Sequence, residues 1–309
     1  MIGIPATRLA WSRLDAYSGP RPSPSERIIS VTSLVAPPKI ARLKALHRDE
    51  LPSMEPRYVD GKLVTPDTFA LMGTALHAAL EAAAKIADPP PLLVEERLQS
   101  AFTVEGAAWT ISGQLDVLEA DGMLWDWKTT SAYSVSDGRK GKSEWECQLN
   151  VLSLLLTRNG HQRPKGLAVY GFWRDWSRKL SGREGSDYPP DDEGPVEIPH
   201  WTAEEQLGYV QERLRLHEAA RSVLPDCSPS ERWARDAGYA VLASTKAPRA
   251  SAVLDTREDA ERYLAEVRDG RGQIEFRPGT SNRCRDYCPV NLWCSQFKAE
   301  SNGIPMNPK

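Results

Sequence analysis

Gly113-Gln114-Leu115-Asp116-Val117-Leu118, a turn at Asp121-Gly122, and Met123-Leu124-Trp125-Asp126-Trp127-Lys128 form the stretch whose reading decides the fold. Asp-Gly favours the tight turn of a β-hairpin, because both residues tolerate a left-handed backbone. Side chains alternate along a strand, so Asp126 and Lys128 share one face. The turn carries Asp116 back beside them. Two carboxylates and an ammonium therefore converge in a sheet otherwise made of Leu115, Val117, Leu118, Leu124, Trp125 and Trp127. Paired carboxylates repel, and burial makes each charge costly unless something neutralises it. A divalent cation does so, and oxygen donors suit Mg²⁺ or Mn²⁺. A charged Lys128 is a poor metal ligand, but it suits orienting an attacking water or stabilising charge on a phosphate. An Asp-x-Lys tripeptide alone is usually a solvated pair on an edge strand. The spacing to Gly113-x-x-Asp116 across the turn is what gives it weight.

Upstream, Thr65 can cap a helix and Pro66 suits its first position, and the Ala- and Leu-rich run to about Ala87 ends at Asp88-Pro89-Pro90-Pro91. His77 and Glu81 lie four apart on this helix and share a face with Gly73, whose lack of a side chain permits close approach. Strand-like segments follow over residues 92–104, 108–118 and 123–128. Downstream, residues 144–158 read as a helix with Leu149, Leu152, Leu155 and Leu156 on its apolar face, and it carries Gln148. Leu167–Arg174 reads as a buried strand. The order helix, three strands, helix, strand predicts an α/β fold with a central mixed sheet flanked by helices, distinct from a doubly wound repeat.

Residues 28–34 read as a short start, and a helical stretch past Pro37-Pro38 runs to about His47. Residues 51–65 and 177–199 read as loop. Trp201 to Ser222 reads as a helix, capped by Thr202 with Glu205. Residues 224–255 are ambiguous, and 255–267 read as a further helix. The expected organisation is a flexible arm at 1–27, a catalytic core at 28–176, a loop and helical extension at 177–280, and a Cys-bearing tail at 281–309 that packs back on the core.

The 309-residue, 34.4 kDa chain is 40% hydrophobic and 26% charged, an ordinary globular balance. No apolar run approaches the ~18 residues that span a bilayer. Met1–Trp11 lacks the apolar stretch of a signal peptide, so the expected location is the cytoplasm. A net charge of −3 argues against a surface that is basic throughout. Any polyanion must meet local positive charge instead. Arg139, Lys140 and Lys142 supply one group. Arg174 and Arg178 supply another, beside Trp176, whose ring suits stacking on unpaired bases. For any one of these residues an ordinary solvated loop explains the charge as well. Of five Cys, three crowd into Cys284, Cys288 and Cys294, which suggests a metal or cluster site more than a bridge.

Together, Gly73-x-x-x-His77-x-x-x-Glu81, Gly113-x-x-Asp116, Asp126-x-Lys128 and Gln148 resemble the RecB-like nuclease branch of the PD-(D/E)XK superfamily. The resemblance covers about residues 28–175. It implies a restriction-endonuclease-like core and Mg²⁺- or Mn²⁺-dependent cleavage of DNA, most often from ends. His77, Asp116, Asp126 and the Trp127 backbone carbonyl would ligate the metal. Lys128 would position the nucleophilic water, Gln148 would support the site, and Glu81 would stand behind the ligands. DNA ends or single strands would be the substrate, in recombination, repair or phage DNA metabolism within a bacterial cell or phage-infected host. A recombination or replication protein is the implied partner.

Two departures stand out. The family's Gln-x-x-x-Tyr becomes Gln148 with Leu152, so the hydroxyl is missing. Many relatives hold an iron–sulfur cluster with one Cys before the core and three after it. The three are present, as Cys284-x3-Cys288-x5-Cys294, but Ala36, Pro37 and Pro38 stand where the first is expected. Cys227, Cys147, a His such as His47, or nothing could be the fourth ligand, and the softness of the donors permits an iron–sulfur cluster or Zn²⁺. These departures motivate a rival expectation, a catalytically reduced module that binds DNA ends or a partner. A sequence-specific endonuclease, or a nuclease that processes CRISPR spacers, is a third.

Overall fold

The protein is seen in a computed structural model that describes residues 26–51, 57–59, 62–64, 68–136, 141–183, 185–247 and 249–301. In chain order the strands are β1 (Ile28–Ser30), β2 (Arg57–Val59), β3 (Lys62–Val64), β4 (Leu93–Val94), β5 (Arg97–Val104), β6 (Ala107–Gln114), β7 (Val117–Leu118), β8 (Met123–Thr130), β9 (Gly166–Trp173), β10 (Glu193–Ile198), β11 (Ala234–Arg235), β12 (Gly238–Leu242), β13 (Ala250–Leu254), β14 (Gln273–Arg277) and β15 (Thr280–Ser281). The helices are α1 (Val31–Val35), α2 (Pro38–Leu46), α3 (Thr68–Ala84), α4 (Ser143–Arg158), α5 (Arg178–Ser181), α6 (Ala203–Ser222), α7 (Arg257–Arg268) and α8 (Ser295–Ser301). The described chain divides into two compact units, with the boundary between Leu224 and Pro225.

In the first unit the strands form two principal sheets. One has the order β1-β6-β5, with β1 parallel and β5 antiparallel to β6. The other has the order β10-β9-β8-β7-β4, mixed because β8 and β9 run parallel while their outer neighbours run antiparallel. Helix α4 packs against strands of both sheets, and α3 lies against β8. The α4 leucines Leu149, Leu152, Leu155 and Leu156 join Ile111, Leu115, Leu124 and Val169 in one buried core. The mixed sheet flanked by helices is the α/β architecture expected from the sequence.

The segment read as one strand over 108–118 breaks at Leu115-Asp116. Residues before the break pair with β5, and those after it pair with β4 and β8 in the other sheet. The segment 92–104 breaks correspondingly at Glu95-Glu96. Both strands change sheets at the same level, so the breaks are one topological event.

Three further expectations need correction. Residues 51–65 contain the antiparallel pair β2–β3, with Asp60-Gly61 between the strands in sequence. Residues 177–199 hold α5 and β10. Pro195 sits within β10 because that strand is a sheet edge, where a missing N–H is tolerated. At Gly73 an added Cβ would meet nothing within 4 Å, so close approach does not explain that glycine. Thr65, Pro66 and residues 1–25 of the N-terminal arm lie outside the described residues, and Arg27 at the end of that arm pairs with Glu218 at 2.7 Å.

Helix α6 begins with the anticipated capping box between Thr202 and Glu205. Among the described residues, no helix is long and apolar enough to cross a membrane. The second unit has its own three-stranded antiparallel sheet, β13-β12-β14, together with α7, the ribbon β11–β15 and α8.

Candidate active site

The hairpin β7–β8 builds the site. Val117 pairs with Trp125, and the same register continued by one residue sets Asp116 opposite Asp126 and next to Trp127. The Trp127 N–H donates to Asp116 Oδ2 at 2.6 Å. On one face of β8, Lys128 Nζ lies 2.6 Å from Asp126 Oδ2, and Gln148 of α4 donates to Asp126 Oδ1 at 2.9 Å. Asp126 Oδ2 is buried, and the Lys128 ammonium at 2.6 Å is what meets its charge there.

From α3, His77 Nε2 lies 2.9 Å from the Trp127 carbonyl oxygen. A carbonyl can only accept, so Nε2 carries the proton in this pairing. Nδ1 then faces Glu95 Oε1 at 3.6 Å and Asp116 Oδ1 at 3.7 Å. His77, Glu95 and Asp116 each offer a ligand atom, all within 4.8 Å of one another. One imidazole nitrogen with two carboxylate oxygens is a donor set that can hold a divalent cation.

The electrostatics follow from burial. Asp116 is pushed up to about 7, first by burial and then by the nearby Asp126 charge, against the opposing pull of His77 and Lys128. Burial works against the Lys128 ammonium, but the Asp126 and Asp116 carboxylates outweigh it and hold Lys128 above the ordinary lysine value. Burial likewise opposes the His77 imidazolium, and Glu95 and Asp116 outweigh it to raise the pKa. The site thus holds more negative charge than its own cation neutralises.

Glu95 went unnoticed in the sequence. It follows β4 at a positive φ of 50°, a backbone conformation sparsely used by side-chain-bearing residues. Its N–H donates to the Asp116 carbonyl at 2.8 Å, and Gln114 Nε2 donates to its Oε2 at 2.6 Å. The available signal was Leu93-Val94, a two-residue apolar run that pairs with Val117-Leu118 and sets the next residue opposite Asp116. That signal is too short to read without the partner strand.

Gly113 has a steric reason. An added Cβ would lie 2.6 Å from Leu152 Cδ2 and 2.7 Å from Val31 Cγ2. Leu152, in place of the family's tyrosine, is therefore core that seats α4 directly over the Gly113-x-x-Asp116 strand.

The remaining candidates are placed as follows. Glu81 pairs with Lys85 at 2.5 Å. Lys142 donates to Thr130 Oγ1 at 3.2 Å, and its pKa is lowered by burial and then by the positive charges of Arg174 and Lys128, which outweigh Glu144. Lys142 and Arg174 therefore share the electrostatic field of Lys128. Arg178 is exposed on α5. Trp176 packs against the core and donates its indole N–H to the Pro189 carbonyl at 2.9 Å, which commits the ring to structure. Arg139 and Lys140 lie outside the described residues. Cys284, Cys288 and Cys294 fall in the second unit. Cys284 is pushed up to about 11 by burial first and then by Cys288 and Cys294.

A profile of the PD-(D/E)XK nuclease superfamily matches residues 91–295. The match takes in Asp116, Asp126, Lys128 and Gln148 and well over half of the chain, and the chain belongs to this superfamily. No curated protein matches it. Among solved structures, SSO0001 is 19% identical, with a TM-score of 0.48 over 75% of this chain and 91% of that one. A Eubacterium rectale protein described as a candidate exonuclease is 12% identical, with a TM-score of 0.32 over 73% of this chain and 71% of that one.

Proposed function

We propose that this nuclease is a Mg²⁺- or Mn²⁺-dependent deoxyribonuclease that hydrolyses phosphodiester bonds from DNA ends, in recombination, repair or phage DNA metabolism. The observation that carries the reading is the convergence of His77, Glu95 and Asp116, next to the Lys128–Asp126–Gln148 chain. His77, Glu95 and Asp116 would hold the divalent ion, with Asp126 and the Trp127 carbonyl alongside. When bound, such an ion neutralises the clustered carboxylates and polarises the phosphodiester.

The chain's own groups do the rest. Asp126 holds the Lys128 ammonium at the edge of the carboxylate cluster, where it can orient an attacking water. Gln148 fixes Asp126 from α4, so Lys128 is indirectly anchored to the core helix. Lys142 and Arg174 add positive charge beside Lys128 that would attract the DNA backbone.

The test is cleavage of end-labelled single- and double-stranded DNA with Mg²⁺ or Mn²⁺. Wild type should shorten labelled ends progressively, and Lys128→Ala should lose on the order of 10²–10³-fold in rate. Equal cutting by wild type and Lys128→Ala would overturn the site assignment. Cleavage of closed circles as fast as of ends would overturn the exonuclease reading.

A further inference from the structure

The two carboxylates that face His77 are held in the same way. Asp116 Oδ2 accepts from the Trp127 N–H at 2.6 Å, and Oδ1 is turned to His77 Nδ1 at 3.7 Å. Glu95 repeats the pattern. Its Oε2 accepts from Gln114 Nε2 at 2.6 Å, and Oε1 is turned to His77 Nδ1 at 3.6 Å. Each acid therefore offers the shared space one oxygen and keeps the other on an N–H donor. To grip a cation with both oxygens, either acid must give up a hydrogen bond to its charged form, which is among the stronger kinds.

The two ties differ in kind. The Trp127 donor is main chain, so the β7–β8 pairing fixes it. The Gln114 donor is one end of a side-chain amide, and an amide can present either its NH₂ or its oxygen. Arg97 decides which. Arg97 and Gln114 stand directly opposite each other in the β5–β6 pair, and Arg97 Nη2 donates to Gln114 Oε1. A guanidinium can only donate, so the amide oxygen stays with Arg97 and the NH₂ is left for Glu95. Arg97 Nη1 also reaches Ser112 Oγ at 3.5 Å, which steadies the guanidinium along β6.

The backbone locks this relay in place. The Leu115 N–H donates to the Glu96 carbonyl at 3.0 Å, and the Glu95 N–H donates to the Asp116 carbonyl at 2.8 Å. Both bonds span the point where the two strands change sheets. Gln114 and Glu95 are thus held in fixed register, although φ at Glu95 is 50°. A conformation of that kind persists where its surroundings over-determine it.

The number of oxygens each acid presents bears on which cation fits. Ca²⁺ is large, takes about six to eight oxygens and readily accepts a carboxylate through both of its oxygens. Mg²⁺ demands a near-octahedral shell, takes one oxygen from each of one or two carboxylates and keeps several waters. Mn²⁺ favours the same octahedral arrangement. One nitrogen and two single oxygens suit the smaller ions.

We propose that Gln114, oriented by Arg97, is a positioning residue that confines Glu95 to one oxygen and so makes the site prefer Mg²⁺ or Mn²⁺ to Ca²⁺. The proposal rests on the metal site of the preceding reading and adds what sets its selectivity. The test is Mn²⁺ binding to the full-length protein without DNA, followed by the electron paramagnetic resonance of the free ion, with Ca²⁺ as competitor. Wild type should hold Mn²⁺ against excess Ca²⁺. Gln114→Met keeps the length of the side chain and removes the donor, and it should lower the ratio of the Ca²⁺ to the Mn²⁺ dissociation constant ~10-fold. Arg97→Met should move the ratio the same way by less, and Arg97→Lys, which still donates, should restore it. If Gln114→Met does not fold, the exposed Arg97 pair of variants decides. A purely structural role would weaken both ions alike. An unchanged ratio would therefore overturn the proposal and leave the metal site standing, whereas a wild type that binds no Mn²⁺ would overturn both.

Discussion

The β7–β8 hairpin of the candidate site and the cysteine-bearing segments 225–235 and 280–301 solve opposite problems. Around Asp116 and Asp126, a wide apolar frame of α4 leucines and β8–β9 residues already exists, and the polar groups are set into it against their own preference for water. In those cysteine-bearing segments the apolar frame is small: among the described residues its buried apolar side chains are Cys227, Val290 and Cys294. The first region should lose its charges and stay folded. The second has little apolar burial to hold its shape. A packed core thus lets a site carry destabilising chemistry, which a region without one is ill placed to do.

The largest expected effect separates activity from stability in the hairpin. Asp116→Asn should lower cleavage by on the order of 10²-fold or more. It should also stabilise the metal-free protein at pH 8. The Asp116 pKa is raised to about 7, so the folded state favours the protonated form. The corresponding stability is present at acid pH and is lost as pH rises through 7. The asparagine variant lacks that loss, by on the order of 1 kcal/mol or more. Urea melts at pH 5 and pH 8 check it, and a less stable variant at pH 8 would break the contrast.

Next, limited proteolysis should cut within 225–235 or 280–301, where little apolar surface is buried, before it cuts β8 or α4. Cuts appearing first in the hairpin would reverse the comparison.

Gly113→Ala probes the frame itself. The new methyl would press on Leu152 and Val31, and overpacking of this kind costs about 1–3 kcal/mol. Denaturant melts should show that loss.

The smallest effect lies outside the hairpin. His217, buried on α6 with Nε2 3.0 Å from the Leu34 carbonyl, is lowered to about 4 by burial, which outweighs that bond. Its contribution is fully present above pH 6.5 and is lost as pH falls from 6.5 toward 4. Lowering pH from 7 to 5 should therefore cost the wild type about 1–2 kcal/mol more than His217→Gln.

Much of the hairpin was legible because its signals are local. Asp121-Gly122 marks the turn, and strand alternation places Asp126 with Lys128, as the 2.6 Å contact bears out. The capping box at Thr202 and the leucine face of α4 are equally local. What escaped depends on pairing across distance. Glu95 reaches Asp116 only because β4 and β7 pair, and the switch of sheets at Leu115-Asp116 leaves no mark in composition. Edge strand β10 was hidden by Gly194-Pro195, which read as loop because their tolerance at an edge is a property of the sheet.

The position of the boundary at Leu224 has a consequence for synthesis. A chain leaves the ribosome from its N-terminus, and units tend to fold as they emerge. Every strand and helix of the first unit described here precedes that boundary, as does every side chain of the candidate active site. The first unit can therefore close before the second has been translated. Folding of the second unit would be a late, separable event in the protein's maturation.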